Sequence, residues 1–126
     1  NLSKDKFMGQ IYKMAAPTGI QVDIVSVAQA KNLWLPNKTV KGRIFLLFKS
    51  IEMAIAAIGD GLQLNSLQLG GYEQKDDRKN VHYGIYMSTS DGEKLKGIAE
   101  TGVRIYFQTI PGEEIEELDK ILKKLN

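Results

Sequence analysis

The chain has 126 residues, carries a formal net charge of +2, and is 43% hydrophobic and 25% charged, values that fit one compact domain with its own core. So small a charge gives no electrostatic footprint for nucleic acid, and the basic residues are spread along the chain rather than gathered among aromatics. Cysteine is absent and histidine occurs once, at His82, which excludes disulfides, a cysteine nucleophile and a multi-histidine zinc site.

The longest unbroken apolar run is "IFLLF", far short of the ~20 residues a membrane span needs. No signal peptide is visible, so a cytoplasmic location is the expectation. The sequon "NKT" at Asn37 is then a chance match.

In chain order, Ser3 is a plausible cap for a first helix, with Phe7, Ile11, Met14 and Ala15 on one face. Pro17 and Gly19 in "AAPTG" stop it. "IQVDIVS" reads as a strand, and residues 27–34 as a short helix closed by Pro36. "RIFLLFK" has the continuous apolar character of a central strand covered on both faces. Ser50 then caps a helix with Ile51, Ala54, Ile55 and Ile58 as its buried stripe.

"NSLQLGG" is a further strand ending in two glycines, followed by a loop of roughly ten residues and a short strand near "YGIYM". "SDGE", Ser90 to Glu93, matches a capping box for a helix carrying Leu95, Ile98 and Ala99, with Gly102 as its stop. "VRIYFQTI" alternates cleanly, which predicts a strand with one less buried face. After Pro111-Gly112, "EEIEELDKILKKL" predicts a terminal helix with Ile115, Leu118, Ile121, Leu122 and Leu125 on one side. Alternating strands and helices predict an open three-layer α/β/α fold with a mostly parallel sheet. The chain opens on a helix and has few strands, which leaves an apolar edge that soluble proteins avoid.

Open parallel sheets place their sites at the carboxyl ends of the strands. Lys49-Ser50 offers a lysine and free N–H groups at a helix start, either an anion seat or simply a solvated end and a cap. Gly70-Gly71 follows a strand, and two glycines permit positive φ and close backbone approach, as in a nest of N–H groups for an oxyanion or phosphate, or else a plain tight turn. Ser26 is better read as a helix cap. No GxGxxG or GxxxxGK[ST] motif is present, which counts against nucleotide binding. His82 lies in or beside a short strand rather than at a strand-to-helix join, so a structural role is the expectation. Asp76 and Asp77 are adjacent, but no further acids gather to suggest a metal cage.

The ordered set "KMAAPTGIQVDIVSV", "RIFLLFKSIEMA", "NSLQLGGY" and "ETGVRIYFQTIP" resembles the enzyme IIB component of the mannose/fructose/sorbose family of the sugar phosphotransferase system, over nearly all 126 residues. The resemblance implies a phosphoryl carrier that takes its group from a phosphohistidine on enzyme IIA. It passes the group to a sugar held by the membrane components IIC and IID, without a cofactor. It also implies a single IIB domain over residues 1–126, cytoplasmic and peripheral to the membrane through the transporter complex. The family's carrier histidine sits in a motif like Asp-Asp-Arg-Leu-Ile-His-Gly-Gln, and no such motif occurs here. The resemblance thus implies that an N-terminal strand–helix–strand unit is not present and that His82 does not inherit the carrier role. Lys49, Ser50, Gly70 and Gly71 match the rim of the family's site, and Tyr72 stands where Met is frequent. A regulatory or docking module of the same fold that is not phosphorylated is the alternative, and a carrier using His82 is a third. The sugar and a homodimer are left open.

Overall fold

The computed structural model describes residues 6–33 and 44–126. The chain divides into two units, one drawn from Asn1–Leu46 and Ala56–Gln63, the other from Leu47–Ile55 and Leu64–Asn126. Ser3, Pro36 and Asn37, singled out from the sequence, and residue 34, the expected end of the short helix, lie outside the described residues.

In the first unit, α1 (Lys6–Met14) is followed by α2 (Val27–Leu33). Ser26 caps α2 as expected, its Oγ accepting the Gln29 N–H at 3.3 Å while the Gln29 side chain accepts the Ser26 N–H at 3.0 Å. The apolar stripe of α1 is not covered, for Phe7, Ile11 and Met14 are all exposed. Ala30, Ala57 and Leu62 are buried, and Lys31 reaches Asp60 at 3.6 Å.

Two segments expected as strands join no ladder among the described residues. Residues 20–26 and 44–48 carry no strand assignment. Phe45 is 83% and Leu47 is 88% exposed, whereas Leu46 and Phe48 between and after them are partly buried. The two-sided burial expected for "RIFLLFK" is therefore corrected to one-sided. Strand hydrophobicity demands a cover but does not supply one.

The second unit is built on three strands in the order β1 (Ser66–Leu69), β4 (Arg104–Phe107), β5 (Glu116–Glu117). β1 and β4 are parallel, with Leu67 opposite Ile105 and Leu69 opposite Phe107. β4 and β5 are antiparallel. Between β1 and β4 in sequence come a hairpin, β2 (Lys79–His82) and β3 (Ile85–Met87), and then α4 (Thr89–Ala99). The alternation in "VRIYF" is borne out: Val103, Ile105 and Phe107 are buried while Arg104 is exposed. Ile85, Met87, Leu95, Phe107 and Ile121 form the fully buried centre. The sheet, its parallel pair and its flanking helices make this an α/β fold, as the alternating pattern predicted.

Three boundaries differ from the sequence reading. The capping box of α4 is Ser88 with Asp91, two residues before the predicted Ser90 to Glu93. The Asp91 carboxylate accepts the Ser88 N–H at 2.9 Å, and the Asp91 N–H donates to Ser88 Oγ at 3.0 Å. The terminal helix α5 (Leu118–Leu125) starts late because Glu116 and Glu117 are taken into the sheet. There Glu117 accepts two bonds from Arg104, at 2.9 and 2.8 Å, a cross-strand pair that favours the extended form. Finally, the loop before "YGIYM" contains a strand of its own, β2, which pairs back through the Tyr83-Gly84 turn. Gly84 has φ +71, the left-handed conformation a two-residue hairpin turn requires.

Candidate functional site

The site residues anticipated from the sequence lie in the second unit, on two connections. The first opens α3 (Ile51–Gly59). Ser50 is its cap: Ser50 Oγ accepts the Met53 N–H at 3.2 Å and the Ser50 carbonyl accepts the Ala54 N–H at 3.3 Å. Lys49 is exposed beside it and forms no ion pair among the described residues. The hydroxyl of Ser50 thus satisfies one N–H of the first turn, and the positive end of the helix faces the connection.

The second connection follows β1. Its start is fixed by the Leu69 carbonyl, which accepts the Gln108 N–H at 3.1 Å. Gly70 and Gly71 are exposed, and neither has positive φ. Of the two readings left open there, the nest is set aside: its alternating hand requires a left-handed residue, and this turn has none. Nor does internal crowding require glycine. A Cβ on Gly70 would meet the Gln108 carbonyl at 3.7 Å, and one on Gly71 the Gly84 carbonyl at 3.9 Å, both ordinary contacts.

Tyr72 brings the two connections together, and only its identity was visible in the sequence. Its hydroxyl accepts the N–H of Ile51, the first residue of α3, at 3.5 Å. Its main chain is tied to the hairpin, N–H to the Gly84 carbonyl at 3.3 Å and carbonyl to the Tyr86 N–H at 3.0 Å. Arg78 stacks over the Tyr72 ring at 4.0 Å from its centroid. That guanidinium is held in turn by Asp91 at 3.1 Å and by the Glu73 carbonyl at 3.0 Å. Across from it, Lys94 of α4 bonds Glu52 of α3 at 2.8 Å. This bond from Lys94 holds the Glu52 carboxyl below its ordinary value, and the same bond raises Lys94. Two cations, Arg78 and Lys94, each with its own carboxylate, thus brace Tyr72 and the first turn of α3.

His82 belongs elsewhere. It ends β2, opposite Ile85, with Nε2 buried and without a hydrogen-bond partner among the described residues. The described residues hold no cluster of three or more histidine, aspartate or glutamate groups able to bind a metal ion. A hollow of about 260 Å³ near the start of α4 is lined by Asp76, Asp77, Lys79 and Ser88 among others. Its charges are mixed, and its Arg78 and Ser88 already have partners. No described helix is long and apolar enough to cross a membrane.

These features define an α/β domain in which Tyr72 joins a capped helix start, with an exposed lysine beside it, to a bare glycine turn. Comparison with known proteins agrees. The chain matches the PTS system sorbose subfamily IIB component family over residues 1–126. It is 23% identical over 125 residues to the PTS system sorbose-specific EIIB component of Lacticaseibacillus casei, covering 96% of this chain and 76% of that one. Against the sorbose-specific EIIB component of Klebsiella pneumoniae it is 21% identical over 118 residues, covering 93% and 72%. Among solved structures, manxB from Thermoanaerobacter tengcongensis superposes with a TM-score of 0.87 and 31% identity, covering 98% of this chain and 75% of the other. The IIBSor domain of the sorbose permease from Klebsiella pneumoniae gives 0.85 at 20% identity, covering 98% and 76%.

The chain belongs to the sorbose subfamily of IIB components of the sugar phosphotransferase system. It is a phosphotransferase component, one of the phosphoryl-transfer domains that serve sugar uptake.

Proposed function

We propose that the rim formed by Lys49, Ser50, Gly70 and Gly71 lines the phosphoryl site. The Tyr72 hydroxyl meeting the Ile51 N–H carries this reading, because it sets the start of α3 beside the glycine turn. Phosphoryl transfer asks for little beyond positioning and stabilisation of three peripheral oxygens. Lys49 supplies a mobile charge, the start of α3 supplies a positive dipole end, and the glycine turn leaves room for a bulky group to approach its peptide N–H groups. No internal contact accounts for two bare glycines, which supports access from outside.

In this reading enzyme IIA is the donor, and a sugar held by IIC and IID is the final acceptor. The N–P bond of the donor phosphohistidine breaks as a ring nitrogen of the acceptor histidine supplies the electron pair for the new bond. The donor nitrogen keeps the pair it shared. In the second transfer a sugar hydroxyl attacks phosphorus, loses its proton and frees the histidine. The IIB domain works in the cytoplasm, peripheral to the membrane through that complex. In this reading the acceptor histidine is not His82, which sits in the β2–β3 hairpin with its Nε2 buried. It belongs to a segment outside residues 1–126, part of which forms a further strand against residues 44–48. The exposed Phe45 and Leu47, and a backbone in no described ladder, support that strand.

The test is single-turnover transfer from phosphorylated IIA to the full natural protein. Lys49→Met should slow it by on the order of 10- to 100-fold while leaving thermal stability unchanged, because Lys49 is exposed and unpaired among the described residues. An unchanged rate would remove the rim from the reaction.

A further inference from the structure

Gly70 and Gly71 have no side chains with which to anchor themselves, so the orientation of their peptide planes is set by the residues that flank them. On one side the anchor is β1, through Leu69, whose side chain is buried and whose carbonyl is bonded to Gln108. On the other side it is Tyr72 alone. Tyr72 is restrained by three different elements: the β2–β3 hairpin through two main-chain bonds, α3 through its hydroxyl, and Arg78 through its ring. Arg78 is a firm backing for that ring, since its side chain is only 9% exposed and is fixed by Asp91 and the Glu73 carbonyl. The hydroxyl contact is the one link in this set that ties the glycine turn to the start of α3. The remaining links tie it to the hairpin and to the cap of α4.

We propose that Tyr72 is a positioning residue for phosphoryl transfer, its hydroxyl holding the start of α3 in register with the Gly70-Gly71 turn. The inference rests on the rim reading above and adds a residue that the rim's own side chains do not reveal. A phosphoryl group stabilised from both connections at once needs their N–H groups at a fixed separation. Loss of the hydroxyl lets that separation drift without unfolding either element. Because the contact orients groups rather than touching the donor protein, its loss acts on the rate of the chemical step and not on donor affinity.

The variants separate the links. Tyr72→Phe keeps the ring on Arg78 and both main-chain bonds and removes only the tie to α3. Tyr72→Leu removes the stacking as well. In the full natural protein, Tyr72→Phe should lower the single-turnover rate roughly three- to tenfold, the factor of one neutral hydrogen bond. The concentration of phospho-IIA giving half-maximal rate should stay unchanged, and the Ile51 amide should shift and exchange faster by NMR. Tyr72→Leu should be slower still. Lys49→Met, run in parallel, distinguishes the two claims. If it is slow while Tyr72→Phe transfers at the wild-type rate despite an altered Ile51 amide, the positioning role is overturned and the rim reading stands. If Lys49→Met transfers normally, the rim reading itself fails. A Tyr72→Phe variant that loses thermal stability but keeps its rate overturns the proposal in favour of a structural role.

Discussion

Asp91 holds two elements with one carboxylate. Its Oδ2 accepts from the Ser88 N–H at 2.9 Å and from Arg78 Nε at 3.1 Å, and its side chain is 5% exposed. Asp91→Ala deletes both bonds. Arg78 keeps the Glu73 carbonyl at 3.0 Å and the Tyr72 ring, neither of which neutralises a buried guanidinium. Breaking a buried pair by removing one partner costs about 3–5 kcal/mol, while losing a helix cap alone costs about 1 kcal/mol. The same oxygen serves both, so the two figures overlap rather than add, and the expected loss is about 3–5 kcal/mol. For a chain of this size that lowers the unfolding midpoint by roughly 10–20 °C. The assay is urea and thermal unfolding of the wild type, Asp91→Ala, Arg78→Met and the double variant. Once Arg78 is Met there is no stranded charge, so the double variant should be no less stable than Asp91→Ala alone. A loss below about 1 kcal/mol, or strict additivity of the two substitutions, would refute this account of the joint.

Three further outcomes follow from the geometry. Phe107→Ala empties the fully buried centre of β4 and should cost about 3–5 kcal/mol in urea unfolding. Gly84→Ala forces a side chain into φ +71 with no clash, its Cβ lying 3.7 Å from Thr109 Cγ2. It should therefore lose about 1–2 kcal/mol, and Gly84→Asn less, when melting midpoints are compared. Acid stability should depend on Glu52 and Glu117, whose carboxyls are held below the ordinary 4.5 by hydrogen bonds from Lys94 and Arg104. Both contributions are complete above 4.5 and lost as pH falls through the lowered folded values, so Glu52→Gln with Glu117→Gln should flatten the urea midpoint between pH 7 and about pH 3. The raised Lys94 acts with the opposite sense: its contribution is complete below 10.5 and is lost only as pH rises through the folded value, so it leaves that acid limb untouched.

The sequence is most informative where structure is local. "SLQL" and "RIYF" alternate with the strand period, and their parallel pairing follows from the helix between them. The caps at Ser26 and Ser50 are read from residue type and position, and both hydrogen bonds are present. Long-range terms are where the reading fails. "EEIEELD" has the acidic start of a helix, yet Arg104, 13 residues away, draws Glu117 into a strand. "IFLLF" reports that a strand must be covered but not by what, and Phe45 and Leu47 are exposed. Ser90 lost the cap to Ser88 because Asp91 also serves Arg78, 13 residues earlier.

For the candidate site, the four rim residues were legible as strand-end and helix-start chemistry. The joint between them was not, because the Tyr72 contact spans 21 residues and a tyrosine after two glycines carries no local signal. Of the two properties a glycine pair offers in sequence, positive φ and close backbone approach, Gly70 and Gly71 show only a backbone compatible with the second. They lack positive φ, so what they provide is an unobstructed surface rather than an unusual backbone.

The central claim is that this domain lines the phosphoryl site while a histidine other than His82 carries the group. Its most direct test is to phosphorylate the full natural protein with phospho-IIA and map the modified peptide, in the wild type and in His82→Gln. The account predicts one phosphoryl group per chain in both proteins, on a histidine outside residues 1–126. A label on His82, or its loss in His82→Gln with the fold intact, would contradict it.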